Sequence, residues 1–124
     1  VDLVKMKAFY FDGPSGEIIR EEEIPDDLLE FCKEKKLDLI GALAENNENM
    51  EEYFLEENLE VPIDAIKAVI REQTVALQFA PVFMGSAFKN KGVQLLLDGV
   101  VDYLPTPTEV ENFAFNKTKD GEKT

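Results

Sequence analysis

The chain has 124 residues, one domain's worth of length, and carries 13 Lys and Arg against 26 Asp and Glu, a net charge of −13. The absence of His and the single Cys32 exclude a His-based triad, imidazole metal ligands, an internal disulfide and a thiolate zinc cage. Hydrophobic residues at 44% are too many for a disordered tail, no apolar run approaches the roughly 18 residues of a membrane span, and the acidic balance argues against a groove for bare nucleic acid.

Val4, Met6, Ala8 and Tyr10 alternate with Lys5, Lys7 and Phe9, which predicts a strand with one buried face. Asp12-Gly13-Pro14-Ser15-Gly16 is a dense turn signal, and Glu17 to Ile24 returns with Ile18 and Ile24 as apolar anchors. Residues 1–24 therefore read as a β-hairpin. Pro25-Asp26-Asp27 starts a helix, because proline tolerates the first turn and carboxylates favour the positive end of the dipole. Leu29, Cys32, Leu39, Ile40 and Leu43 carry it at helical spacing to about Ala44, where Asn46-Asn47 breaks the pattern. A short helix with Met50, Tyr53 and Phe54 on one face follows, then a third from Pro62 to about Leu77 with Ile66, Val69 and Ile70 inward. Residues 17–60 hold 16 acidic and 4 basic side chains, so nearly all the excess charge lies on this part, and a basic protein partner fits it.

The character changes after Leu77. Phe79 to Met84 is an almost wholly apolar run that suits a strand covered on both faces, with Pro81 near its start. Gly85 to Gly92 is a loop. Val93, Leu96, Leu97, Val100, Val101 and Leu104 then mark an amphipathic helix, expected inward along that stripe and ended by Pro105-Thr106-Pro107. Residues 116–124 are polar and expected to be disordered, and the sequon Asn116-Lys117-Thr118 reads as chance. A strand–loop–helix unit needs parallel strands beside it, and none is legible here. The fold class is α/β in two unlike parts: an α+β module of hairpin and helices at 1–78, and a last strand and helix at 79–110. The chain begins without Met and is expected to be a piece of something longer.

The loop Gly85-Ser86-Ala87-Phe88-Lys89-Asn90-Lys91-Gly92 carries the chemistry. A Ser-Ala loop between an apolar strand and a helix resembles the fifth guanine-recognition motif of GTP-binding domains. Small side chains let backbone N–H groups approach a base edge. The N–H of Ala87 facing guanine O6 would meet an amino group in adenine, a mismatch of about 1–3 kcal/mol. Two residues alone are a weak signal; the run through Val93-Gln94 and on to Pro105 is similar to the corresponding segment of the elongation factor G family of translational GTPases. Val1-Asp2-Leu3-Val4-Lys5-Met6-Lys7-Ala8 resembles the same family.

That resemblance implies that residues 1–78 are the subdomain inserted into the GTPase domain, residues 79–110 the domain's last strand, base loop and helix, and residues 111–124 a tail toward the next domain. It implies Ser86, Ala87 and Phe88 at the guanine base of GTP or GDP, with Mg2+ in the full-length protein. It implies the ribosome as partner, with tRNA and mRNA met there, and the acidic insertion against the large-subunit stalk protein. No membrane is expected. Residues 9–13, 81–87 and 109–113 lean toward the mitochondrial form, with a bacterial or plastid form as alternative. The chain lacks a phosphate loop, an Asn-Lys-x-Asp motif and switch segments, so no residue is catalytic or a metal ligand, and the piece alone is expected to be inactive. Glutamate pairs such as Glu51-Glu52 read as a solvated face, and Cys32 as core. The exposed apolar faces of 79–104 suggest self-association of the piece. The other readings are a ribosome-recycling relative and a stand-alone acidic adaptor without nucleotide chemistry.

Overall fold

A computed structural model describes residues 1–111 and residue 113. The expectations for the tail, sequon included, fall largely outside the described residues. The elements, in order, are β1 (Ala8–Asp12), β2 (Ile18–Glu22), α1 (Asp26–Ala44), α2 (Glu48–Leu55), α3 (Ile63–Val75) and α4 (Val93–Tyr103). The hairpin is antiparallel and runs from Ala8 opposite Glu22 to Asp12 opposite Ile18.

The helix starts follow the sequence. Pro25 and Pro62 precede α1 and α3, with Asp26, Asp27 and Asp64 in the first turns. Asn47, the pattern breaker, caps α2 by accepting the Met50 N–H at 3.0 Å. The helix ends depend on two residues without a glycine's freedom. Glu57 and Leu77 take φ of 51° and 59°. Around them Asn58 N–H donates to Tyr53 and Glu57 to Phe54, while Gln78 donates to Gln73 and Leu77 to Thr74. This is the paired bonding of a Schellman motif, so α2 and α3 stop with their last carbonyls satisfied.

The core is one cluster. Ile40 and Leu43 of α1, Met50 of α2, Val61, Ile66, Val69 and Ile70 around α3, and Tyr103 of α4 are buried together. Phe79 packs against it, so both sequence parts share this core. Gln73, itself buried, donates from Nε2 to the Leu43 carbonyl at 2.7 Å and joins α3 to the end of α1. Lys36 is also buried, its Nζ 3.5 Å from the Val4 carbonyl; burial lowers its pKa, with Asp2 opposing.

Three expectations are corrected. First, residues 4–7 are not strand. Asp2 Oδ1 accepts the N–H groups of Val4 and Lys5 at 2.9 and 3.1 Å, and Asp2 bridges to Lys7, so the chain turns before β1 begins. Within β1 the expected face holds up at Ala8 alone; Tyr10 is exposed beneath the Arg20 guanidinium, and Phe9 and Phe11 are the half-buried pair. In β2 Ile24 beyond the strand is buried but Ile18 is 58% exposed, and among the described residues the hairpin has no second sheet over it. Second, residues 79–85 form no strand; a strand needs a neighbour for its N–H and C=O groups, and no described segment supplies one. Third, the stripe of α4 faces outward. Leu97 and Val101 are 59% and 77% exposed, while α4 buries Gly99 and Tyr103.

A polar latch fixes α4 on α3 instead. Lys67 Nζ lies 2.6 Å from Asp102. Arg71 Nη1 donates to the carbonyls of Asp102 and Leu104 at 3.1 and 2.9 Å, and Nη2 reaches both oxygens of Glu109 at 2.9 and 2.8 Å. Glu109 also accepts the Thr106 N–H and hydroxyl, at 2.6 and 2.8 Å. The Thr106 backbone bond, then Arg71, lowers its pKa from 4.5 to about 2.

Two outcomes follow from this packing. Leu43→Ala, at a position with no exposed surface, should cost about 2–5 kcal/mol in urea unfolding. Glu109 is held ionised by folding, so its stabilisation is complete above pH 4.5 and is lost as pH falls through about 2. Glu109→Gln should therefore be less stable than the parent at pH 6, with the gap closing as the pH is lowered between those values. A gap that stays constant would show that the carboxylate's charge is not what Arg71 and Thr106 hold.

Candidate functional site

The loop at residues 85–92 is built by its ends. Ser86 and Lys91 bridge each other, with the Ser86 N–H donating to Lys91 at 2.8 Å and the Lys91 N–H to Ser86 at 3.0 Å. Asn90, at φ 50°, donates to the Ala87 carbonyl at 3.1 Å and closes the turn. Gly92 opens α4 at φ 79°, and a Cβ there would lie 2.8 Å from the Met84 carbonyl oxygen. Only glycine combines that angle with that approach.

Pinned in this way, the loop turns its middle outward. The N–H groups of Ala87, Phe88 and Lys89 donate to no acceptor among the described residues, whereas the Ser86 N–H is used inside the loop. Ala87 is exposed and Phe88 fully so, at 100%. Ser86 is half-buried at the base. The loop thus carries three consecutive donors, without an acceptor among the described residues, beside an exposed ring. Of the three residues singled out in the sequence, Ala87 and Phe88 are in the outward segment; Ser86 holds the turn shut.

The local charge differs from that of the chain. Residues 79–97 carry Lys89 and Lys91 and no carboxylate, in a chain of net charge −13. The loop's own segment therefore brings no negative charge to an anionic ligand. Both flanks of the loop rest on the core. On one side the Phe83 ring lies against Gly99, where a Cβ would come 2.3 Å from the ring, and 6.3 Å from the Tyr103 ring. On the other side α4 leads directly to Tyr103.

Two contributors have no local signature in the sequence. Arg71 is one. The other is the hairpin turn, whose Gly16 is buried against the carbonyls of Lys89 and Asn90. The turn signal at 12–16 was legible, but what it would touch was not. Among the described residues, no group of three His, Cys, Asp or Glu side chains is arranged to hold a metal ion, and no helix is long and apolar enough to cross a membrane.

No protein-family model matches the chain. Individual proteins do. It is 52% identical over 123 residues, 99% of its length, to "Elongation factor G 2" of Anaeromyxobacter dehalogenans. It is 49% identical over 110 residues to "Elongation factor G" of Petrotoga mobilis and 51% identical over 116 residues to "Elongation factor G 1" of Borreliella afzelii, covering 89% and 94% of the chain. A crystal structure of a Thermus thermophilus protein superposes with a TM-score of 0.71 at 28% identity, over 88% of this chain and 16% of that one. The chain is thus homologous to part of a translation elongation factor. The family is elongation factor G, and the chain spans 17%, 16% and 17% of those three relatives.

Proposed function

We propose that the loop at residues 85–92 reads the guanine base of GTP or GDP, within a larger GTPase that couples hydrolysis to movement of tRNA and mRNA on the ribosome. The observation that carries this reading is that the N–H groups of Ala87 to Lys89, on an exposed turn, have no acceptor among the described residues, in a chain about half identical to elongation factor G. The Ala87 N–H would donate to guanine O6, Phe88 would cover a face of the base, and Ser86 would keep the turn closed. In this reading residues 1–78 are the inserted subdomain, 79–110 the end of the GTPase domain and 111–124 the start of a connection onward.

Exposed apolar side chains support that division. Val82, Met84 and Val101 are 86%, 91% and 77% exposed, which is how the edge of a sheet domain looks without its sheet. The same surface favours self-association of the isolated piece. Mg2+ and the phosphates would be held by parts of the protein outside the chain, since the donors present suit a base edge and not a metal. The piece alone would then neither hydrolyse GTP nor hold it. The ribosome is the proposed partner, with the acidic helices toward its stalk protein, where charge would act mainly on the rate of association. The sequence leaned to a mitochondrial form; three bacterial relatives at 49–52% identity give that lean no support and favour the bacterial alternative.

The test is Ala87→Val in the full-length protein. A β-branched side chain would push the N–H away from O6, and GTP and GDP affinity should fall by about 1–3 kcal/mol. Phosphate contacts survive, so the single-turnover rate of bound GTP should change less. Unchanged affinity would show that the loop does not read the base.

A further inference from the structure

The hairpin turn of the N-terminal module touches the back of the loop. Gly16 sits in that turn at φ 64°, buried, with its N–H donating to Gly13 at 3.3 Å. A Cβ on Gly16 would lie 2.6 Å from the Asn90 carbonyl oxygen and 3.0 Å from that of Lys89. Both contacts are to backbone, so neither can swing aside as a side-chain end would. The loop has one non-glycine residue in a left-handed conformation, and it is Asn90, the residue pressed by the turn. Asn90 in turn donates to the Ala87 carbonyl, one peptide from the outward N–H groups.

We propose that Gly16 is a positioning residue for base recognition: the hairpin turn buttresses Lys89 and Asn90 and so sets where the N–H groups of Ala87 to Lys89 point. This rests on the reading of the loop given above. It makes the hairpin more than a covering for the helices. A side chain at position 16 must displace the Lys89–Asn90 backbone by several tenths of an ångström, and that shift passes through a tight turn to the Ala87 peptide. Directional N–H donors lose strength quickly with such misalignment.

Gly13 provides the control. It lies in the same turn at φ 89°, so alanine there also strains the hairpin. Its Cβ, however, would meet the flexible carboxylate of Glu17 at 2.7 Å, away from the loop. The experiment measures affinities of the full-length protein, and of its Gly16→Ala, Gly13→Ala and Ala87→Val variants, for GDP and for 2-aminopurine riboside diphosphate, which lacks O6. Gly16→Ala should weaken GDP roughly 5- to 100-fold and leave the 2-aminopurine nucleotide within about twofold, since the lost bond is to O6. Gly13→Ala should leave both affinities unchanged.

Equal loss of both nucleotides, or the same loss in Gly13→Ala, would mean general disruption and overturn the proposal. Loss in Ala87→Val with none in Gly16→Ala would overturn it while leaving the loop's reading intact; no loss in either would remove both. Hydrogen exchange on the unaltered protein tests the same coupling without any variant, by reciprocity between the two sites. GDP should slow exchange at residues 15–17 as well as at 87–89. Protection at the loop with none at the turn counts against the buttress.

Discussion

The crossing of α1 on α3 is the contact on which the rest of this molecule depends. Ile40, Leu43, Ile66 and Ile70 have almost no exposed surface, and Gln73 adds a directed bond from α3 to the end of α1. The same Gln73 uses its own carbonyl to accept the Gln78 and Phe79 N–H groups. One residue thus closes the core, ends α3 and launches the segment that leads to the loop. Phe79 and Tyr103 then seat the two flanks of residues 80–102 on that core. A loop on an otherwise exposed apolar segment keeps a defined shape because both of its ends return to one buried cluster.

The surface is divided by charge. Acidic groups crowd the hairpin and the first two helices, and their ion pairs, such as Lys33 with Glu30 and Lys35 with Asp38, are exposed and contribute little to stability. The paired charges at Arg71 and Lys67 differ in purpose. They occupy the groove between α3 and α4 and orient a helix whose apolar stripe faces away. They act beside the apolar anchors of α4, Tyr103 in the core and Gly99 against the Phe83 ring. With both, the helix keeps Leu97 and Val101 outward.

Much of this was legible in the sequence, and the rest was hidden for physical reasons. The helices at 26–44, 48–55 and 63–75 followed from apolar spacing and from Pro25, Asn47 and Pro62 at their starts. Their ends were less plain, since Glu57 and Leu77 occupy conformations usually given to glycine. The alternation at 4–10 matched a strand, but Asp2 captures two N–H groups and makes a turn first. The run at 79–84 has strand composition and, among the described residues, no strand partner. Composition reports how buried a segment prefers to be, and pairing depends on what lies beside it. The boundaries of the candidate loop were readable from Gly85 and Gly92 and from the Ser-Ala pair in context. Gly16 and Arg71 were not, because each acts across a long stretch of intervening sequence.

In the proposed function, the N–H groups of residues 87–89 meet a guanine edge. A crystal structure of the full-length protein with GDP tests it most directly. The expected structure has the Ala87 nitrogen within about 3.2 Å of O6, Phe88 against the base, and the turn at 13–16 still behind Lys89 and Asn90. A GDP base held elsewhere, with residues 86–88 open to solvent, would contradict it.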